Sequence, residues 1–97
     1  MDAKTLHLLR QSPFDANDLA NCCNILKEND TVVLLDDGCY TLSHSLLSEL
    51  YNNCTNIFVI KQHAVSRGLK ITSSIQSINI TTLNQLIFEH SNSVTWQ

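Results

Sequence analysis

The sequence predicts a minimal three-layer α/β/α domain on a mostly parallel sheet of four to five strands, with residues 1–97 as one unit. Three observations predict it. Two apolar runs, Val32-Val33-Leu34-Leu35 and Ile57-Phe58-Val59-Ile60, are continuous rather than alternating, as strands covered on both faces are. Segments of helical spacing separate these and the other short apolar runs, and repeated βα units mean a parallel sheet with helices on both faces. The length of 97 residues, 43% of them hydrophobic and only 15% charged, suits one globular domain and is too apolar for disorder.

Thr5-Leu6-His7-Leu8-Leu9 is the first strand. Pro13 biases Ser12 away from helix and places a turn there. Asp15, Asn17 or Asp18 is positioned to cap a helix running to about Lys27 or Glu28, with acidic residues early and Lys27 late, as the helix dipole prefers. Asn29-Asp30 breaks that helix, and Thr31 to Leu35 is the second strand. Asp36-Asp37-Gly38 turns the chain. Ser45 to Tyr51 is helical by the spacing of Leu46, Leu47 and Leu50. Asn56 to Ile60 is the third strand, and Lys61 to Arg67 a short helix stopped by Gly68, the residue type favoured just past a helix end. Gln76 to Ile80 is a further strand. Thr82 to Gln85 matches a capping box that opens a last helix to about Glu89, and Val94-Thr95-Trp96 forms a final short strand.

Composition narrows the chemistry. With two glycines, Gly38 and Gly68, the chain holds neither GxGxxG nor GxxxxGK[ST], so no nucleotide cofactor is expected. The formal charge of −3 argues against direct nucleic-acid binding, which favours a basic surface. No run approaches the ~20 apolar residues of a membrane span. Residues 1–20 hold no apolar stretch of an export signal, so a cytoplasmic chain with reduced thiols is expected. Cys22, Cys23, Cys39 and Cys54 lack paired CxxC spacing and the histidines stand singly, so no metal site is expected.

Parallel sheets place sites at the carboxyl ends of strands. Arg10 to Phe14, Asp36 to Tyr40 and Lys61 to His63 occupy those ends. Neighbouring residues leaving a strand point to opposite sides, so Asp36 and Asp37 are expected not to share an ion, with Asp37-Gly38 making the turn and Asp36 solvated. On a helical wheel Leu19, Cys23 and Leu26 cluster within about 60° as a core stripe. Cys23 is then a buried small hydrophobe. Cys22 lies on the flank of that stripe as a partly exposed thiol near a helix start, which favours thiolate, although Asp18 opposes this. Cys39, in the turn after the second strand, is the alternative reactive thiol, and Cys54 is structural. Trp96 either plugs the core or anchors an interface.

Four segments in order resemble the TusB/DsrH family of sulfur-relay proteins. Thr5-Leu6-His7 through Ser12-Pro13-Phe14 is similar to the family's LHxxxxSP opening. Val32 to Gly38 resembles its apolar strand and DG turn, Phe58-Val59-Ile60 through Arg67-Gly68-Leu69 its strand, helix and RG segment, and Thr82 to Trp96, with His90, its ending. The resemblance implies a DsrE-like α/β fold and a small cytoplasmic subunit without cofactors. It implies assembly with homologous TusC/DsrF-like and TusD/DsrE-like subunits into a heterohexamer that hands persulfide sulfur to a downstream sulfur-carrier protein. In the Tus version the sulfur ends in 2-thiouridine at the tRNA wobble position; in the Dsr version it serves dissimilatory sulfur oxidation. The principal active cysteine would belong to the TusD/DsrE-type subunit. DsrH-type members carry a first-helix cysteine in the context SPFxxNxLxxC, and Ser12 to Cys22 matches it, so Cys22 is the candidate persulfide cysteine.

Three functions follow as expectations. The first is an accessory subunit of such a relay, in which Cys22 needs only nucleophilicity and access to a partner's thiol. The second is a stand-alone thiol redox protein using Cys22 or Cys39, and the third a purely structural interaction module.

Overall fold

A computed structural model describes residues 4–53, 56–72 and 75–96. Its elements follow the expected alternation: β1 (Thr5–Leu9), α1 (Asp18–Ile25), β2 (Thr31–Leu34), a 3₁₀ helix (Asp36–Ser43), α2 (Leu47–Asn53), β3 (Asn56–Ile60), α3 (Lys61–Ser66), β4 (Gln76–Ile78), α4 (Ile80–Glu89) and β5 (Asn92–Trp96). The five strands form one sheet in the order β4-β3-β2-β1-β5, and every pairing is parallel.

Two apolar layers explain why the central strands read as unbroken apolar runs. Val32 and Leu34 of β2, Ile57 and Val59 of β3 and Leu9 of β1 point to one face, where they meet Leu19, Cys22 and Cys23 of α1, Leu50 of α2 and Ala64 of α3. Leu6, Val33, Ile60 and Ile78 point to the other face and meet Leu83 of α4. The chain steps in one direction from β1 to β4, then crosses back to β5 on the far side of β1. That reversed crossover puts α4 alone on its face among the described helices, since parallel crossovers keep one hand.

Helix ends show where tertiary contacts override local signals. α1 stops at Ile25, short of the expected Lys27. The Lys27 backbone N–H, which a continuing helix would give to the Cys23 carbonyl, goes instead to Asp30 Oδ2 at 3.1 Å. The Cys23 carbonyl accepts from Asn53 Nδ2 at 3.2 Å. None of the three expected caps makes a side-chain cap: Asn17 takes the N-cap position without one. After β2 the chain forms the 3₁₀ helix rather than a simple turn, and α2 begins two residues later than its leucine spacing suggests.

Gly68 behaves as expected. Its φ of +68° lies in the left-handed region, its N–H donates to the Val65 carbonyl at 3.0 Å, and Leu69 N–H reaches back to the Ala64 carbonyl at 3.0 Å. This is the paired closure of a Schellman motif. The capping box at Thr82 is displaced: α4 opens three residues earlier, and Asn79 is its cap. Asn79 Oδ1 accepts from Thr82 N at 2.9 Å and from Thr82 Oγ1 at 3.1 Å. Asn79→Ala should therefore cost about 1 kcal/mol, read as a lower urea midpoint at unchanged slope.

Candidate functional site

The carboxyl ends of β1 and β2 open into a cleft of about 300 Å³ lined by Arg10, Gln11, Asp36, Asp37 and Arg67. β1 delivers Arg10, β2 delivers the aspartates, and the end of α3 delivers Arg67. Gly38 lets the two strand ends approach: its N–H donates to the Arg10 carbonyl at 3.1 Å and to the Leu35 carbonyl at 2.9 Å. The chain leaves β2 through Asp36, whose φ of +50° is rare for a residue with a side chain.

Asp36 is not merely solvated, as the sequence suggests. Its carboxylate accepts from Arg10 Nε at 2.9 Å, and its backbone N–H donates to His63 Nδ1 at 2.9 Å. Asp37 faces a different cation: Arg67 Nε donates to its Oδ1 at 3.0 Å. Arg67 is held by a further hydrogen bond to the His63 carbonyl at 3.1 Å. The aspartates thus part to separate arginines, in keeping with the expectation that they do not share an ion. These pairs balance one another in charge and are partly exposed, so each contributes at most about 1 kcal/mol. Sequence reasoning missed both pairs, because partners some thirty positions apart leave no local trace.

The cysteines of the described residues do not line this cleft. Cys22, Cys23 and Cys39 are buried thiols, and Cys54 lies outside the described residues. Cys22 is 0% exposed, which overturns its expected place on an exposed flank. The reason is that α1 is covered on two sides, by the sheet and by α2, so Cys22 and Cys23 both turn inward while Ile25 points outward, 55% exposed. Burial pushes the Cys23 thiol up, and the nearby Glu49 carboxylate adds to it.

Cys39 sits in the 3₁₀ helix close to the charges of the cleft, its Sγ 3.7 Å from the Leu34 carbonyl. Burial pushes its pKa up to about 11; Arg67 opposes this, and Asp36 and Asp37 reinforce it. It is therefore a protonated thiol at neutral pH. Iodoacetamide should label Cys39 slowly in the folded chain at neutral pH and rapidly once the chain is unfolded in urea, measured by mass spectrometry of the Cys39 peptide.

A second polar constellation runs from the turn before β2 across β1 to β5, and no motif announced it. Asp30, in the turn before β2, accepts from His7 Nε2 at 3.0 Å, Lys27 N at 3.1 Å and Thr5 N at 3.2 Å. Burial raises the Asp30 carboxyl, but these hydrogen bonds, together with the positive charge of His7 when protonated, outweigh it and hold the group below the usual carboxylate range. His7 Nδ1 accepts from Trp96 Nε1 at 3.2 Å. Trp96 also packs against the larger core layer, which favours a plug over an interface anchor. His90 completes the polar framework, bonding the Leu86 carbonyl through Nδ1 and Thr31 Oγ1 through Nε2 at 2.8 Å.

No helix among the described residues is long and apolar enough to cross a membrane. The described residues thus present a polar cleft at the strand ends, enclosed thiols, and an exposed apolar stretch on α4, where Phe88 is 91% exposed.

Comparison with known proteins bears on what this arrangement serves. Residues 11–93 match the family model described as "DsrH like protein". Protein TusB of Escherichia coli O81 (strain ED1a) is 30% identical over 95 residues, covering 94% of this chain and 99% of its own length. Protein TusB of Shigella sonnei (strain Ss046) is similar to the same extent, 30% over 95 residues. Among solved structures, the solution NMR structure of protein Tm0979 from Thermotoga maritima superposes with a TM-score of 0.64 at 17% identity, covering 88% of this chain and 92% of that one. At that identity the likeness concerns the fold.

Proposed function

This chain belongs to the TusB/DsrH family of sulfur-relay proteins, and from that premise we propose that it is an accessory subunit of a persulfide-relay complex. Its place would be beside homologous TusC/DsrF-like and TusD/DsrE-like subunits in a cytoplasmic heterohexamer. That complex would pass sulfur to a downstream carrier, toward 2-thiouridine at the tRNA wobble position. The observation that carries this is the match along nearly the whole chain to proteins of the same length, at 30% identity.

Two structural features support it. Among the described residues, Cys22, Cys23 and Cys39 are all enclosed, which suits a complex whose sulfur-handling surface comes chiefly from a partner subunit. The acidic balance of the chain, −3, suits a subunit that leaves tRNA contact to others. Within this chain Cys22 is the candidate persulfide carrier. Since it is 0% exposed, α1 would have to part from its neighbours before Cys22 Sγ could attack an incoming persulfide. The attack forms a new S–S bond at Cys22 and releases the donor's thiolate, with no net oxidation.

Reconstituted transfer of labelled sulfur from a persulfidated donor through the assembled complex tests the proposal. Omitting this chain should abolish or strongly slow transfer, and Cys22→Ser should remove label from this subunit. Transfer that is undiminished without the chain contradicts the subunit role. Transfer undiminished in Cys22→Ser, but lost without the chain, contradicts only the carrier role of Cys22.

A further inference from the structure

His7, Asp30 and Trp96 link the edge strand β5 to β1 and to the turn before β2 through one imidazole. An indole N–H donates and cannot accept. The bond from Trp96 Nε1 to His7 Nδ1, 3.2 Å, therefore requires a lone pair on Nδ1. The ring proton then sits on Nε2 and is donated to Asp30 Oδ2 at 3.0 Å. The folded arrangement thus selects neutral His7 in its Nε2–H tautomer, with both nitrogens engaged. The two rings lie 6.2 Å apart and are inclined by only 21°. Of the β5 side chains, Asn92 to Thr95 are exposed and Trp96 alone is half-buried. Beyond its backbone ladder to β1, the strand is anchored by this indole.

From this geometry we propose that His7 is a proton-operated latch on β5. A proton taken from solvent can bind the ring only through the Nδ1 lone pair. The new Nδ1–H would then face the indole N–H, and two donors cannot share that contact. The indole hydrogen bond breaks and Trp96 swings away from the ring. Asp30 keeps its bond to Nε2–H and balances the imidazolium charge, so the β1–β2 side holds while the end of β5 loosens.

Few charges modulate the step. Lys27 and Asp30 are the charged groups lining the hollow around His7, which β5 borders with the neutral Asn92, Ser93 and Val94. α1, packed on β1, brings Asp18, Cys22 and Cys23 as its titratable groups, and β2 brings none. Asp30 stays ionised through mild acidification because its carboxyl is held low by its three donors. The latch concerns the sheet edge and stands apart from the sulfur-relay proposal.

Trp96 is the chain's one tryptophan, so the intact protein reports on itself. Emission and acrylamide quenching are followed from about pH 8 to about pH 5, the span in which histidines change charge, with circular dichroism confirming the fold. The latch requires a red shift and increased quenching along a one-proton curve while the fold persists. His7→Asn should abolish the curve, because Asn Oδ1 can take the place of Nδ1 as acceptor and does not titrate. A flat signal down to the onset of unfolding overturns the latch, as does a curve that persists in His7→Asn. Imidazole ¹⁵N shifts of the unsubstituted chain at pH 8 test the premise without any variant: they should report the Nε2–H tautomer for His7, and the Nδ1–H tautomer there overturns the latch.

Discussion

Gly38→Ala should be among the most damaging single-methyl additions available to this chain, costing on the order of 3–5 kcal/mol or preventing folding. A Cβ built at Gly38 would lie 1.8 Å from the Leu9 carbonyl oxygen and 2.6 Å from its carbon. Both are backbone atoms, and they sit at the end of β1, so no rotamer change relieves the clash. Either the 3₁₀ helix must move off the strand ends or β1 must move off β2. The first movement loses the bonds from Gly38 N–H to the Arg10 and Leu35 carbonyls, and the second opens the sheet at its centre. Gly68→Ala is the natural control: nothing lies within 4 Å of its added Cβ, and only the left-handed φ of +68° is strained. Its cost should be about 1 kcal/mol. Urea denaturation of the two variants side by side checks the contrast, and a Gly38→Ala variant as stable as Gly68→Ala would refute the close approach.

Asp30→Ala should cost about 2–4 kcal/mol, because it strands three donors at once: His7 Nε2–H, Lys27 N–H and Thr5 N–H. Those donors lie on β1 and on the turn after α1, so the loss loosens the start of β1 and the end of α1 together. The same carboxylate gives stability an acid dependence. Its folded pKa is depressed below the unfolded value. The stability it contributes is thus fully present above the ordinary carboxylate range, near pH 4, and is lost as pH falls through the lowered folded value. Asp30→Asn should remove that part of the acid dependence, so the unsubstituted chain and the variant should converge in stability toward low pH. Thermal unfolding of both from about pH 7 to about pH 3 measures this. A stability gap that stays constant over the whole span would show that Asp30 does not carry the depressed pKa in the fold.

Much of the fold was legible because the decisive signals were local. Val32 to Leu34 and Ile57 to Ile60 are apolar on consecutive positions, and only a strand between two layers requires that. Gly68 sits where a left-handed residue must close α3. Sequence could not show that Asp30 would draw the Lys27 N–H out of α1, or that Asn53 would cap the Cys23 carbonyl, because both partners reach α1 through space. The capping box at Thr82 is plausible in isolation. Asn79 outcompetes it because its carboxamide binds both the Thr82 N–H and its hydroxyl.

The site was less legible than the fold. A helical wheel assumes one covered face, and α1 has two, so Cys22 lies inside rather than on a flank. The arginine partners of Asp36 and Asp37, and the linkage of His7 to Trp96 across 89 positions, depend wholly on the parallel order of the sheet. What remained visible from sequence was the family pattern, because it spans the chain in order and survives at 30% identity.

The central claim is that the protein works as one member of a hetero-oligomer. Native mass spectrometry of the chain co-expressed with the TusC-type and TusD-type subunits proposed as its partners tests this most directly. The expected result is a single complex containing all three subunits in equal copy number, with no excess of the solitary 10.9 kDa chain when partners are saturating. Recovery of the chain only as a free monomer or a homo-oligomer, with both partners folded and abundant in the same sample, would contradict it.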